Sequence, residues 1–277
     1  MATYVTSDAH GHLRAFDAAL EQISLGADDR LYVLGDMVDR GPDPVGVLRL
    51  VRSLPNAQVL MGNHEDMLLN TISSGSQLDL LTWEMNGGSS TAAGLDACPH
   101  DEYVDIIRWI SELPLFDVVN VGERTYLLAH AGIDALGLRG YLATAGFSVD
   151  TGYGDVPEDV WRAALAEQDP EDLLWTRGAF WGEPTGLVGP DGRGPVVISG
   201  HTPTVLLARY AEMMGGPVLN EDDRANMVEV GACWDTFGVA DRIDIDCSAA
   251  AGAPHGRVGI MRLDDHAVFY GTIEEGA

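Results

Sequence analysis

Five short clusters of Asp, His, Asn and Gly, each lying directly after an apolar run, constrain this chain more than any other feature. The runs Thr3–Thr6, Leu31–Leu34, Gln58–Met61, Tyr126–Ala129 and Val196–Ser199 are rich in β-branched or aromatic residues and read as strands. After them come Asp8-Ala9-His10-Gly11, Gly35-Asp36-Met37-Val38-Asp39-Arg40-Gly41, Gly62-Asn63-His64-Glu65, His130-Ala131-Gly132 and Gly200-His201-Thr202-Pro203. In α/β folds, ligands bind in the loops outside the carboxyl ends of the strands. The spacing therefore predicts that five distant segments converge on one edge.

The rest of the chain fits such a frame. Further strands are expected at Met227–Val230, Val258–Leu263 and Ala267–Thr272, the last two joined by a turn at Asp264-Asp265. Helical periodicity puts Leu13, Phe16, Leu20 and Ile23 on one face, and Val47, Leu48, Val51 and Leu54 on another. Tyr103, Ile106, Ile107 and Ile110 mark a third helix, and Gly182–Pro195 reads as a loop. The order is β-α-β-α-β early and strand-rich late, with no repeat or low-complexity linker. That predicts an α/β protein forming a single domain over residues 1–277. The long aromatic-rich stretch 136–195 is expected to cover the site.

Composition narrows the partners. The net charge is −27 and all 16 basic residues are arginine. Such a surface repels phosphate backbones and anionic lipid, so neither nucleic acid nor membrane is an expected partner. Two readings of the missing lysine stay open: GC-rich coding, and adaptation to high salt. No apolar run reaches the roughly 18–20 residues of a membrane span. The opening MATYVTSDAH has no basic or apolar leader pattern, so a cytoplasmic location is expected. Cys98, Cys233 and Cys247 form no CxxC pair and are expected to be free thiols.

Each cluster alone has an ordinary explanation. Asp8 and His10 could cap a helix, Asp39 and Arg40 could pair within a turn, and Asn63 could be an N-cap. Together they supply two Asp, one Asn and three His as possible ligands, with no thiolate. That mixture suits Mn, Fe or Zn. One carboxylate can bridge two cations roughly 3.5–4 Å apart, and such a pair clamps a phosphoryl group and activates water. Arg40 has the fork geometry to hold phosphate. The chemistry that follows is hydrolysis of a phosphate ester with no covalent enzyme intermediate.

Asp-x-His-Gly, Gly-Asp-x-Val-Asp-Arg-Gly, Gly-Asn-His-Glu, His-Ala-Gly and Gly-His-Thr, in this order over residues 8 to 203, resemble the signature of the calcineurin-like metallophosphoesterases. The second motif resembles that of the bacterial phosphoprotein phosphatases. The resemblance implies two facing mixed β-sheets flanked by helices, with two divalent metal ions, Mn first and Fe or Zn as alternatives, at the strand ends. It assigns Asp8 and His10 to one ion, Asp36 as the bridge, and Asn63, His130 and His201 to the other. It makes His64 the general acid, oriented and kept cationic by Asp39, with Arg40 on the phosphate. Leu174-Trp175-Thr176-Arg177 resembles the segment carrying a second phosphate arginine, so Arg177 is the candidate. Trp83-Glu84-Met85-Asn86-Gly87-Gly88 resembles a bacterial segment expected near the site. His12 is expected at a helix start, while His100, His255 and His266 are expected at the surface. One departure is Ile243-Asp244-Ile245-Asp246-Cys247, which runs into Ser248–Gly252 where relatives have a Gly-rich turn.

The resemblance implies a protein serine/threonine phosphatase first, acting on a phosphorylated protein or a small phosphate ester. The alternative is a symmetrical dinucleoside tetraphosphatase, in which alanine typically replaces the residue at Asp39. A catalytically dead binding module would be expected to lack some ligands, and all six are present. Oligomeric state is left open by the sequence.

Overall fold

A computed structural model describes residues 1–275. The parallel core of one sheet is β1 (Thr3–Thr6), β2 (Arg30–Val33) and β3 (Ala57–Val59). Two antiparallel strands, β9 (Arg257–Arg262) and β10 (Val268–Thr272), extend it to the order β10-β9-β1-β2-β3. The facing sheet has the order β4-β5-β6-β8-β7, from β4 (Phe116–Val121), β5 (Arg124–Ala129), β6 (Val196–Ser199), β7 (Val228–Val230) and β8 (Arg242–Asp244). Here β5, β6 and β8 run parallel, and β4 and β7 are antiparallel edges.

Alternation along each strand explains why the runs read as continuously apolar. Val5, Tyr32 and Leu34 from the first sheet meet Tyr126, Leu128, Val196, Ile198 and Ile243 from the second in an inter-sheet core. Their neighbours Tyr4, Leu31 and Val33 face outward onto helices. Leu127, Ala129 and Val197 do the same on the other side. Strands buried on both faces have no polar face to show.

The helices over the first sheet include α1 (Leu13–Ile23), α2 (Pro44–Ser53), α3 (Asn63–Ser74) and α6 (His100–Ser111). Phe16, Ala19, Leu20, Val47, Leu48, Val51, Ile106 and Ile110 supply their buried stripes. Between α3 and α6 lie α4 (Gln77–Met85) and α5 (Ser89–Asp96). The stretch 136–195 carries α7 (Ala135–Thr144), α8 (Glu158–Ala166), α9 (Pro170–Trp175) and α10 (Gly178–Trp181). Its Tyr153, Trp161, Phe180 and Trp181 pack into the outer core of the second sheet. Most of the segment is thus a layer of the fold. One stretch of it, Trp175–Phe180, reaches the fourth cluster: Thr176 and Phe180 pack where a Cβ on Gly132 would stand.

Parallel pairing brings the carboxyl ends of β1, β2 and β3 to one edge, and those of β5 and β6 to the facing edge. Backbone bonds then tie the loops together. Asp8 N donates to Gly35 O (3.1 Å), His10 N to Asp36 O (2.9 Å) and Gly200 N to His130 O (2.8 Å). The approach at Gly35 admits no side chain: it has φ +85°, and an added Cβ would lie 2.3 Å from Gly62 N. Strain and overpacking at such a site each cost about 1–3 kcal/mol. Gly35→Ala is expected to lower unfolding free energy by roughly 2–5 kcal/mol by these terms. A denaturant midpoint equal to that of the unaltered protein would contradict this.

Candidate metal centre

The clusters fold into turns at the strand ends, except Asn63-His64-Glu65, which opens helix α3. Asp8, His10, Asp36, Asp39, Arg40 and His201 all have positive φ, between +41° and +68°. For residues with a Cβ this costs about 1–3 kcal/mol each, and it persists only where surroundings enforce it. Among the described residues, six of the eleven non-glycine residues with positive φ thus lie in the clusters.

Asp36 is the hub. Its Oδ2 lies 3.5 Å from His10 Nε2 and its Oδ1 3.5 Å from His130 Nε2. Asn63 Oδ1 lies 2.8 Å from both His130 Nε2 and His201 Nδ1. The remaining nitrogens of two rings are committed elsewhere: His10 Nδ1 donates to Val38 O (3.0 Å) and His130 Nδ1 to Leu34 O (2.7 Å). Such outer bonds fix which ring nitrogen faces a metal. Asp8 Oδ1 lies 3.9 Å from His10 Nε2, and Asp8 accepts from His201 N at 3.0 Å. The structure therefore brings together Asp8, His10, Asp36, Asn63, His130 and His201, and buries every one.

The donors fit two cations sharing Asp36. Two groups of potential ligand atoms, His10/Asp36/His64 and Asp36/His130/His201, each fall within 4.8 Å. His64 is the poorer ligand of the first group, because both its nitrogens are engaged. Nδ1 donates to Asp39 Oδ2 at 2.6 Å, and Nε2 accepts from Arg40 Nη2 at 3.0 Å. Asp8 is the available alternative. Electrostatics agree. Burial, then repulsion from Asp8 and Glu65, lifts the Asp36 carboxyl well above its usual range. Burial also lifts Asp8. Burial, then the positive groups nearby, holds the His10 and His201 imidazoles down in the neutral form that a metal needs. Buried carboxylates without a compensating cation are costly, and divalent ions held at Asp36 would offset that cost.

At the mouth stand the two exposed arginines. Arg40 is held by its Nε–H donating to Asn86 O (3.2 Å) and its N–H to Gly87 O (3.0 Å). Arg177 Nη2 donates to His201 O (3.1 Å). Asp39 pairs with His64 as expected, Nδ1 to Oδ2 at 2.6 Å. Burial first, then the Arg40 guanidinium, pushes His64 down to about 2, while burial pushes Asp39 up to about 6.

Other residues acquire roles that motif reading did not give them. Glu65 accepts four backbone amides: Asp36 N (2.8 Å), Gly62 N (3.0 Å), Met37 N (2.9 Å) and Val38 N (3.3 Å). It is a buried anion that shapes the turn carrying Asp36. Its position three residues past the Gly62 N-cap was the available signal. Glu65→Gln would turn an amide NH2 toward backbone N–H groups, and an unsatisfied buried donor costs about 1–3 kcal/mol. We expect a loss of roughly 2–4 kcal/mol in unfolding free energy; an unchanged denaturant midpoint would contradict it. Asp246, in the departing segment after β8, is buried, and repulsion from Asp8 adds to burial in raising its carboxyl. His266 is not a bare surface residue: Nδ1 bonds Glu229 Oε1 (2.7 Å) and Nε2 bonds the Tyr126 hydroxyl (2.9 Å). His12 immediately precedes α1, and His255 Nδ1 donates to Asp223 O (2.7 Å).

Residues 1–222 match the family model of the calcineurin-like phosphoesterases. The chain belongs to that family. Among curated calcineurin-like relatives, the symmetrical bis(5'-nucleosyl)-tetraphosphatase of Proteus mirabilis (strain HI4320) is 35% identical over 138 residues, covering 48% of this chain and 45% of that one. The chain thus spans about half the length of the curated relatives it matches first. A crystal structure provisionally named a diadenosine tetraphosphatase aligns with a TM-score of 0.57 at 19% identity, covering 99% of this chain and 94% of that one. A protein serine/threonine phosphatase from Saccharomyces cerevisiae aligns at 0.50 and 16% identity, covering 100% of this chain and 81% of the other. These structural likenesses establish the two-sheet phosphoesterase fold. Among the described residues, no helix is long and apolar enough to cross a membrane.

Proposed function

We propose that this calcineurin-like phosphoesterase is a two-metal phosphoric ester hydrolase, that its first substrate class is the symmetrical dinucleoside tetraphosphates, and that Asp8, His10, Asp36, Asn63, His130 and His201 hold its ions. The observation that carries the hydrolase is the buried Asp36 carboxylate, with ligand atoms of His10 and His130 on its two oxygens at 3.5 Å each. Bound divalent cations, with Mn first and Fe or Zn as alternatives, would supply charge to clamp phosphoryl oxygens and would lower the pKa of water. The tetraphosphate reading draws on the curated relatives, which carry that name at 33–35% identity.

The chain's own groups do the rest. Arg40 and Arg177 grip the phosphoryl oxygens from the exposed side and orient the ester for in-line attack. A bound phosphoryl anion would draw Arg40 away from His64 Nε2, and that nitrogen could then take a proton from solvent and pass it to a departing alkoxide oxygen. Asp39 holds the ring by Nδ1 throughout.

A second reading, hydrolysis of phosphoserine or phosphothreonine in a protein, is favoured by one observation: Asp39 is present and sits 2.6 Å from His64. An alkoxide leaving group needs a proton; a nucleoside diphosphate, being a far weaker base, leaves without one. The readings separate in one assay of kcat/KM for diadenosine tetraphosphate and a phosphothreonine peptide. Preference for the dinucleotide, with ADP as the nucleotide product, is expected. A tenfold preference for the peptide would overturn the first reading in favour of the second.

A further inference from the structure

Asp39 is held by more than His64. Its Oδ1 accepts from Thr91 Oγ1 (2.6 Å), and the Trp83 indole N–H reaches Oδ2 at 2.9 Å and Oδ1 at 3.1 Å. Thr91 Oγ1 in turn accepts from Asp39 N (2.8 Å), closing a ring around a residue at φ +68°. Three side-chain donors thus converge on two oxygens, and that fixes the carboxylate plane so that Oδ2 faces His64 Nδ1.

The way these donors are mounted is unusual. Helix α4 exposes Leu78, Leu81 and Met85, and Trp83 is its sole buried residue. The helix therefore does not dock on the core through an apolar stripe. It is anchored by one indole, whose N–H ends on the carboxylate beside the candidate acid. Gly88 lets the chain pass the ring closely, since an added Cβ there would lie 2.5 Å from the indole. The same junction supplies Asn86 O and Gly87 O, the acceptors that hold Arg40.

We propose that Trp83 and Thr91 are positioning residues for proton delivery, acting through Asp39 to hold the His64 ring in register with the leaving oxygen. The proposal rests on His64 being the general acid. Without either donor, the Asp39 carboxylate is free to turn and the 2.6 Å contact to Nδ1 loosens. Outer-shell partners of this kind cost about 10–100-fold when removed.

The test uses the metal-loaded full chain with Trp83→Phe, which keeps an aromatic ring, and Thr91→Val, which keeps the volume. Each is assayed on p-nitrophenyl phosphate and on phenyl phosphate, whose leaving oxygen is much more basic. Each variant should lose about 10–100-fold in kcat on phenyl phosphate and under about threefold on p-nitrophenyl phosphate. In a His64→Asn background the same substitutions should cost nothing further, because the group they position is gone. Equal losses on both substrates, or an undiminished loss in that background, would show a merely structural role and overturn the proposal. A readout independent of turnover keeps the two readings apart: the downfield proton resonance of His64 Nδ1–H, identified by its loss in His64→Asn. It should shift or broaden in both variants. A resonance unmoved by either substitution overturns the clamp even if the enzyme is active. Failure of the unaltered chain to hydrolyse either ester counts against the proposed function, and leaves this resonance to decide the clamp.

Discussion

Asp36→Asn is expected to abolish metal-dependent turnover, lowering kcat by at least about 10³-fold, and to cut the metal content of the purified protein. Asp36 is the one carboxylate placed between the two halves of the site, with His10 Nε2 and His130 Nε2 each 3.5 Å away. A neutral amide offers one oxygen and no charge, so it bridges two cations poorly. The fold itself should survive and gain stability in the absence of metal. Burial and the neighbouring Asp8 and Glu65 press on the Asp36 carboxylate, and the amide removes that repulsion. The signature is thus opposite in sign for the two observables. Without metal, the variant should melt at or above the unaltered chain; with excess Mn, the unaltered chain should gain thermal stability that the variant does not. Elemental analysis showing full metal occupancy in Asp36→Asn would remove Asp36 from the bridging role.

His64→Asn should separate substrates by their leaving groups. General acid catalysis contributes about 10²–10⁴-fold where the leaving oxygen is basic. We expect losses in that range on phenyl phosphate and on phosphothreonine peptide. On p-nitrophenyl phosphate and diadenosine tetraphosphate the loss should stay under about tenfold, since these groups depart without a proton. Metal content should be unchanged, because both His64 nitrogens are already engaged, by Asp39 and Arg40. A uniform loss on all four substrates would take His64 out of the proton-transfer role. Loss of bound metal would make it a ligand, which its place beside His10 and Asp36 allows geometrically.

The parts of the site that could be read from the chain are those where one short segment carries both the scaffold and the chemistry. Asp36 and His130 each follow a strand buried on both faces, so apolar run and polar cluster announce each other. For Glu65 the only local signal is its place three residues past Gly62, because three of its four partners are backbone amides at Asp36, Met37 and Val38, about thirty positions earlier. Trp83 and Thr91 act through Asp39 from a helix pair whose residues show little periodicity. Of α4, only Trp83 is buried, and Leu78, Leu81 and Met85 face outward, so the pattern that marks α1, α2 and α6 is missing. Strand β4 (Phe116–Val121) was hidden because it is an edge strand carrying Asp117 and Asn120. Strand β8 is only Arg242–Asp244, and two of its three residues are charged. It is recognisable only once Ile243 is seen in the inter-sheet core. The aromatic wealth of 136–195 is explained chiefly by packing on the second sheet, with Trp175 brought beside His201 and Phe180 beside Gly132.

The curated relatives point to dinucleoside tetraphosphates, while the Asp39–His64 pair equips the site for a more basic leaving group. Both share one claim: two divalent ions held on Asp36 make this chain a phosphoesterase. The most direct measurement is titration of the metal-stripped chain with Mn, following bound metal and p-nitrophenyl phosphate hydrolysis in the same samples. Activity absent at the start, rising with occupancy and levelling off at about two ions per chain, is the predicted result. Hydrolysis by the stripped chain, or no hydrolysis with two ions bound, would contradict it.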